Sequence, residues 1–381
     1  MRVLLLYQFL NHSSLVGALA DHMRPFGIDI DCLDLPTLNF LSGKKGKSSI
    51  YRSLYLIWEK IGKLRRVVSV FLKTKFIMAQ LNDYDLVDIH SYDLYYNEII
   101  PKIKKKGKPL IIMVWGSDFY RATKEALEKK RLGFSMADII HLESETVKED
   151  FLKVYPEFED KIRIVQFGLN QLDLLKEAMQ ERHDDVKLLP NESSKGKLIV
   201  TCGYNGIESQ QHLTMIDALS CLPESLRQKI YILVPFTYGW KPAYKEKVLA
   251  RLKSSNMPYT LLDERLSDAH ITELRIISNI VINIQVTDSF SASLQEHMMA
   301  GSVMIVGDWL PYKVFDDAGI FLIKTTLEGL RDKIEDVMTH YEMYKEKSMA
   351  NKENVYNLSS WKGVTQKWVS IYTECHNLRT E

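Results

Sequence analysis

The sequence predicts an α/β protein made of two doubly wound domains, each built on a mostly parallel sheet. Three observations carry that expectation. Short runs of Val, Ile and Leu recur along the chain and are apolar on both parities, the pattern of strands covered on both faces. Longer segments of helical period separate them, and strand–helix alternation on this scale implies parallel sheets. A length of 381 residues exceeds what one hydrophobic core usually serves.

Taken in order, the strands of the first half are expected at 2–7, 29–33, 86–90, 110–115, 138–142 and 162–166. Helices fall between them at 14–25, 51–80, 120–130 and 146–154. The alternation breaks over 181–196, a polar stretch with one Pro and no periodic apolar face, which reads as an interdomain linker. It then resumes with strands at 197–202, 230–235, 258–262, 280–285, 303–306 and 320–323. Their helices are expected at 211–221, 242–254, 268–277, 291–300, 325–348 and 361–375. The domains so defined are 1–185 and 197–358, two Rossmann-like halves with a cleft between them. Ligands of such sheets bind beyond the carboxyl ends of the strands, so chemistry is sought in strand-to-helix loops.

Composition narrows the function classes. Hydrophobic residues at 46% and charged residues at 26% are values of a folded globular protein, not a disordered or fibrous one. Cys32, Cys202, Cys221 and Cys375 stand too far apart for a metal or CxxC motif, and suit separate thiols in a reducing compartment. The opening MRVLLLYQFL carries no cleavage signal and reads as a first strand, and no run is long enough to span a bilayer. A cytoplasmic protein is expected. There is no nucleophile elbow, HExxH or Walker A loop. The D-x-D pairs Asp29–Asp31 and Asp83–Asp85 fit strand alternation and turn chemistry, so neither a metal nor a cofactor is expected.

The stretch 280–301, IVINIQVTDSFSASLQEHMMAG, is the most informative. A buried strand runs into a polar loop and then a helix. Asp288 lies in the loop and Glu296 eight residues on, upon the helix. Ser289, Phe290 and Ser291 would present N–H groups at the helix N-terminus, which suits a phosphate, and either serine would cap it. Spacing alone leaves open a turn acid, a solvated helix acid and a C-cap at Gly301. The segment resembles the E-x7-E stretch of family 4 glycosyltransferases of the GT-B fold, E-x-F-x5-E-A-x-A-x-G, with Asp288, Phe290, Glu296, Ala300 and Gly301 in register. The resemblance implies that Asp288 contacts the donor sugar and Glu296 the ribose of a nucleotide-sugar. It extends loosely to 137–170 and 266–283. It also makes 359–381 a terminal helix that crosses back to the first domain.

The family's Arg and Lys after the first strand of the second domain are missing. GYNGIESQQH stands there, so Gly203, Asn205 and Gly206 would supply backbone donors to the diphosphate, unless this is an ordinary N-G turn. Lys241 and Arg265 are the candidate cations. This region, and VPFTYGWKPAYKEKV, are similar to the fucosamine-type transferases of enterobacterial antigen, usually inverting. In the first domain VWGSD resembles an H-G-x-D/E motif with Trp115 for the His. Gly116 and Asp118 remain, Asp118 as base or acceptor-orienting acid, or as a helix cap. His90 is a second base candidate or a structural histidine. Asn11 and His12 follow the first strand, where acceptor loops lie.

Charge is concentrated in one place. The net +1 hides a segment, 42–80, with ten bases against one acid, Glu59. Leu54, Trp58, Ile61, Leu64, Val68 and Phe71 recur at helical spacing, and Tyr51, Tyr55, Trp58 and Phe76 interleave the bases. This suits an anionic membrane surface, or a helix packed on the sheet with a solvated basic face. No nucleic-acid module accompanies it. Together these readings imply a metal-independent, retaining glycosyltransferase, peripheral to the cytoplasmic face of a membrane. It would move sugar from a nucleotide-sugar to a surface glycan or polyprenyl-linked acceptor. An inverting transferase, a nucleotide-sugar epimerase and an inactive transferase-like partner are the alternatives.

Overall fold

The computed structural model describes residues 1–8, 13–47, 49–61, 65–180, 188–189, 191–288 and 290–378. Asn11, His12, Ser289 and half of the expected linker, 181–187 and 190, lie outside the described residues. The chain divides into two compact units, Met1–Gly168 with Trp361–Glu381, and Leu169–Ser360.

The first unit holds seven strands: β1 Arg2–Tyr7, β2 Asp29–Asp34, β3 Asn39–Phe40, β4 Leu86–His90, β5 Leu110–Met113, β6 Ile139–Leu142 and β7 Ile162–Ile164. Their order is β3-β2-β1-β4-β5-β6-β7, parallel except for the short edge strand β3. Alternate residues of β1 enter opposite cores, as a sheet covered on both faces requires. Leu4 and Leu6 join Val87, Ile89, Phe134 and Phe151, while Val3 and Leu5 join Ile111, Met113, Trp361 and Trp368. The last helix, Trp361–Asn377, packs within this unit. Trp368 Nε1 donates to Gln166 O at 3.0 Å, and Tyr372 Oη donates to Asp88 Oδ2 at 2.7 Å. A Cβ on Gly168 would lie 2.2 Å from the Trp361 ring, so the chain leaves the unit at a residue without a side chain.

The expected single helix over 51–80 is instead two, Ser49–Ile61 and Arg65–Gln80, which pack against each other as a hairpin. Its ends meet where Gln80 accepts from Lys47 N at 2.8 Å and donates to Lys47 O at 2.7 Å. Lys73 lies over the Tyr55 ring. The interleaving aromatics Tyr55 and Phe76 are core residues, 3% and 1% exposed, because a hairpin turns one face of each helix onto the sheet. Ile50, Leu54, Ile57, Val67 and Phe71 point outward instead.

The second unit holds β8 Leu198–Cys202, β9 Ile230–Pro235, β10 Tyr259–Leu262, β11 Ile280–Asn283, β12 Val303–Gly307 and β13 Ile323–Thr325. Their order is β10-β9-β8-β11-β12-β13, all parallel. Chain order reverses between β1 and β4 in one sheet and between β8 and β11 in the other. Loops leave such a switch point in opposite directions and open a crevice at the carboxyl ends. A helix not foreseen in the sequence, Asn170–Gln180, belongs here, ahead of the expected boundary at 185. It packs on the helices Asp268–Ile277 and Ala292–Ala300, with Gln171 Nε2 donating to Thr272 Oγ1 at 2.6 Å.

Candidate functional site

At the second switch point, β8 ends in the turn 203–207. Gly203 is left-handed at φ 67°, and a Cβ there would sit 2.9 Å from Gln210 Oε1. A Cβ on Gly206 would come within 2.6 Å of Trp240. All but one of the turn's N–H groups are already engaged. Gly203 N donates to Ile282 O at 3.0 Å, Tyr204 N to Gln210 Oε1 at 3.2 Å, and Gly206 N to Tyr238 O at 2.9 Å. Asn205 Oδ1 accepts from Ile207 N, and its amide reaches Tyr238 Oη. These residues close and pack a turn; the N–H groups of Gly203 and Gly206 do not stand ready for a diphosphate, contrary to the sequence expectation, while that of Asn205 makes no bond within the protein.

Across from this turn, β11 leads through Gln285 to Asp288. Gln285 Oε1 accepts from Gln210 Nε2 at 2.8 Å and from Tyr204 Oη at 3.2 Å, tying the two loops together. Asp288 Oδ2 accepts a very short hydrogen bond from Tyr312 Oη, which in turn accepts from Asn283 Nδ2 at 2.8 Å. Burial and the Asp288 charge hold the Tyr312 phenol well above its ordinary value, so it stays a donor. Phe290 stacks on Phe315, and Ser291 caps the helix Ala292–Ala300 through Leu294 N.

Glu296 lies one turn into that helix. Its Oε2 accepts from Arg275 Nε at 3.0 Å and Nη2 at 2.8 Å, with the two side chains only 8% and 13% exposed. Arg275 Nη1 meets His297 Nε2 at 2.9 Å. Burial and the Arg275 charge push that imidazole well down, leaving it neutral and able to accept. Burial raises the Glu296 carboxyl and Arg275 opposes it. Glu296 Oε1 takes no hydrogen bond within the protein and is not sealed from solvent. Tyr238 lies near enough to feel Asp288, Glu296 and Arg275 together. Sequence reasoning missed Arg275, which lies 21 residues before Glu296 on another helix; the candidate cations Lys241 and Arg265 are exposed and bond to neither acid.

At the first switch point the candidates are built in differently. Asp118 Oδ1 accepts from Trp115 N and Oδ2 from Tyr92 N, both at 2.9 Å, so the carboxylate fastens the 115–118 turn to the end of β4. Gly116 permits that turn with φ 76°. His90 is 1% exposed, set among Trp115, Phe167 and Trp368, with Nε2 3.2 Å from Asp88 Oδ2. Among the described residues no group of three or more His, Cys, Asp or Glu could hold a metal ion. Nor is any described helix long and apolar enough to cross a membrane.

No protein-family model and no curated protein matches the chain by sequence. Solved structures do match by fold. A glycosyltransferase from Rickettsia africae is similar at TM-score 0.73 and 16% identity, covering 98% of both chains. Sucrose-phosphate synthase from Thermosynechococcus elongatus is similar at TM-score 0.71 and 11% identity, again over 98% of both. HepE of Anabaena, solved with UDP and glucose, is similar at 0.69 and 13%, over 98% of this chain and all of that one. Two Rossmann-like units matching these structures along their whole length make this the GT-B fold.

Proposed function

We propose, from the GT-B fold and the acids at its second switch point, that this chain is a glycosyltransferase using a nucleotide-sugar donor. The carrying observation is Glu296, with one oxygen held by Arg275 and the other open, in register with the ribose-binding acid of the E-x7-E pattern. Glu296 would accept from ribose hydroxyls and Asp288, steadied by Tyr312, from the donor sugar. HepE holds UDP and UDP-glucose, which supports the same class of donor here.

Retention is the favoured course. Burial raises the Asp118 carboxyl, but both its oxygens already accept N–H groups, and His90 is enclosed, so neither group presents a free acceptor to a substrate hydroxyl. In a retaining transfer the anomeric carbon–oxygen bond to the diphosphate breaks as the acceptor oxygen bonds to that carbon on the same face. The acceptor proton passes to the departing phosphate oxygen, so no protein base is required. The hairpin 49–80 supports a lipid-borne acceptor at a membrane surface: Ile50, Leu54, Ile57, Val67 and Phe71 are exposed beside Lys45 and Lys75. Lys44 and Lys47 contribute less, being paired with Asp31 and Asp83.

A panel of UDP-, GDP-, ADP- and TDP-sugars, scored for nucleoside-diphosphate release with and without a polyprenyl-linked acceptor, tests the transfer. Glu296→Gln should weaken donor binding by about 10- to 30-fold, the value of a charge-assisted hydrogen bond. Absence of binding to every donor would favour the reading as an inactive transferase-like protein, which the engaged N–H groups of Gly203 and Gly206 support. Flotation with liposomes tests the surface. Val67→Glu with Phe71→Glu should lower binding to anionic vesicles by about tenfold, and equal binding of both proteins would remove the hairpin from the argument.

A further inference from the structure

Arg275 lies in the stretch 266–283, where the resemblance is loose and gives it no role, yet it makes the closest contacts to Glu296. Nε and Nη2 converge on one carboxylate oxygen while Nη1 is held by His297, so the guanidinium plane is fixed at three points. A fork fixed in this way pins the oxygen it binds and limits the swing of the carboxylate about it. The contact uses Oε2 alone, and Oε1 is left without a partner and open to solvent.

We infer that Arg275 is a positioning residue for nucleotide binding, holding the Glu296 carboxylate ionised and turned so that Oε1 can accept from the vicinal hydroxyls of a ribose. The inference rests on the reading of Glu296 as the ribose group. Burial by itself favours the neutral acid, and Asp268 adds to that tendency; Arg275 is the group that opposes both. Of the other charged groups on helices packed against Ala292–Ala300, Glu273 is itself raised by burial, and neither it nor Glu177, Glu342, Glu346 or Glu353 bonds to Arg275 or Glu296, while the rest are engaged elsewhere. Asp173 accepts from Tyr356, Lys176 lies over the Tyr356 ring, Lys345 donates to Gly301 O, and Lys352 reaches Met179 Sδ at 3.6 Å. His297 is neutral and Tyr238 is a phenol kept protonated by burial.

The sign of the effect follows. Without Arg275 the Glu296 carboxyl rises further, and it gains a proton as pH falls through the raised value. A protonated Glu296 is a weaker acceptor, so nucleotide affinity falls with pH. In the wild type Arg275 delays that loss. The second ionisation of a nucleoside diphosphate near pH 6 affects both proteins alike and cancels in the ratio of their dissociation constants.

The test is calorimetric titration of the full chain and of Arg275→Gln with UDP, GDP and ADP at about pH 8 and about pH 6. We expect Arg275→Gln to bind about tenfold more weakly at the higher pH, the value of a lost charge-assisted contact, and about tenfold more weakly again at the lower. Arg275→Lys keeps the charge and loses the fork, so its deficit should be smaller and the same at both pH values. The double variant R275Q/E296Q, free of an uncompensated buried charge, should also show a ratio independent of pH. A loss in Arg275→Gln that is equal at both pH values overturns the inference and leaves the ribose reading standing. Failure of the wild type to bind any of the three nucleotides overturns the ribose reading and the inference with it. Should Arg275→Gln not fold, Arg275→Lys and the double variant decide, and a pH-dependent ratio in either overturns the proposal.

Discussion

The two sheets present the same topological crevice with opposite chemistry at its floor. At the β1/β4 switch point the acids are occupied or sealed by the fold. Asp118 holds two main-chain N–H groups, and Asp88 binds Tyr372 and faces His90 through Oδ2, while its Oδ1 is shut away from solvent without a partner. At the β8/β11 switch point Glu296 is satisfied on one oxygen only. A carboxylate at a strand end is available for a ligand where neighbouring donors leave part of its acceptor capacity unfilled and that part reaches solvent, and sequence position alone does not say which case applies. Breaking the contrast means showing that Asp118 acts on substrate; sharpening it means separating stability effects from binding effects.

The largest expected effect is on the first unit. Asp118→Ala leaves Tyr92 N and Trp115 N without their acceptor and should destabilise the chain by about 2–4 kcal/mol, read from the urea midpoint. Nucleotide affinity of the folded protein should be unchanged. If turnover disappears while stability stays, Asp118 is the base after all and the contrast fails.

Acid acts on both units at once. Burial pushes His141 in the first unit and His212 in the second down to about 4. Unfolding frees each to its ordinary value near 6.5. The native imidazole is therefore the poorer proton acceptor, and the unfolded chain binds more protons between these limits. Stability is insensitive to these groups above about pH 6.5 and declines below it, by up to about 1.4 kcal/mol per pH unit for each histidine, until about pH 4. From pH 7 to pH 5 each accounts for roughly 2 kcal/mol at most. Urea unfolding at the two pH values checks this; His212→Phe should remove part of the decline, and an unchanged slope would show that His212 is not buried neutral.

Much of the fold could be read from the sequence because it rests on pattern. Strands such as LLLY, LVDIH and IYILVP are apolar on both parities, and that requirement is local. The hairpin 49–80 was read as one helix because both its helices keep the same period, whereas the meeting of Gln80 with Lys47 is a tertiary fact. The helix Asn170–Gln180 is short and buries only Leu172 and Leu175 fully, too few positions for a clear period. At the site, Asp288 and Glu296 were legible because they share one strand-loop-helix segment. Arg275 was not, since its partner is on the next helix and pairing across helices leaves no fixed spacing. The closure of the Gly203 and Gly206 N–H groups is illegible for a related reason: whether a turn's donors are open depends on Ile282 and Tyr238, which arrive from elsewhere.

The smallest effect divides the second site within itself. Tyr312 Oη donates to Asp288 and accepts from Asn283, so Tyr312→Phe removes the group that fixes Asp288 while keeping the ring packed on Phe315. About 1 kcal/mol is expected, the net worth of a buried hydrogen bond with one partner left unmade. If Asp288 serves the sugar and Glu296 the ribose, that cost falls unequally. Affinity for a nucleotide-sugar should drop by about fivefold, while affinity for the corresponding nucleoside diphosphate, which has no sugar to reach Asp288, should hold. Equal losses for both ligands would mean that Tyr312 supports the loop as a whole, and that the division of labour between the two acids is wrong.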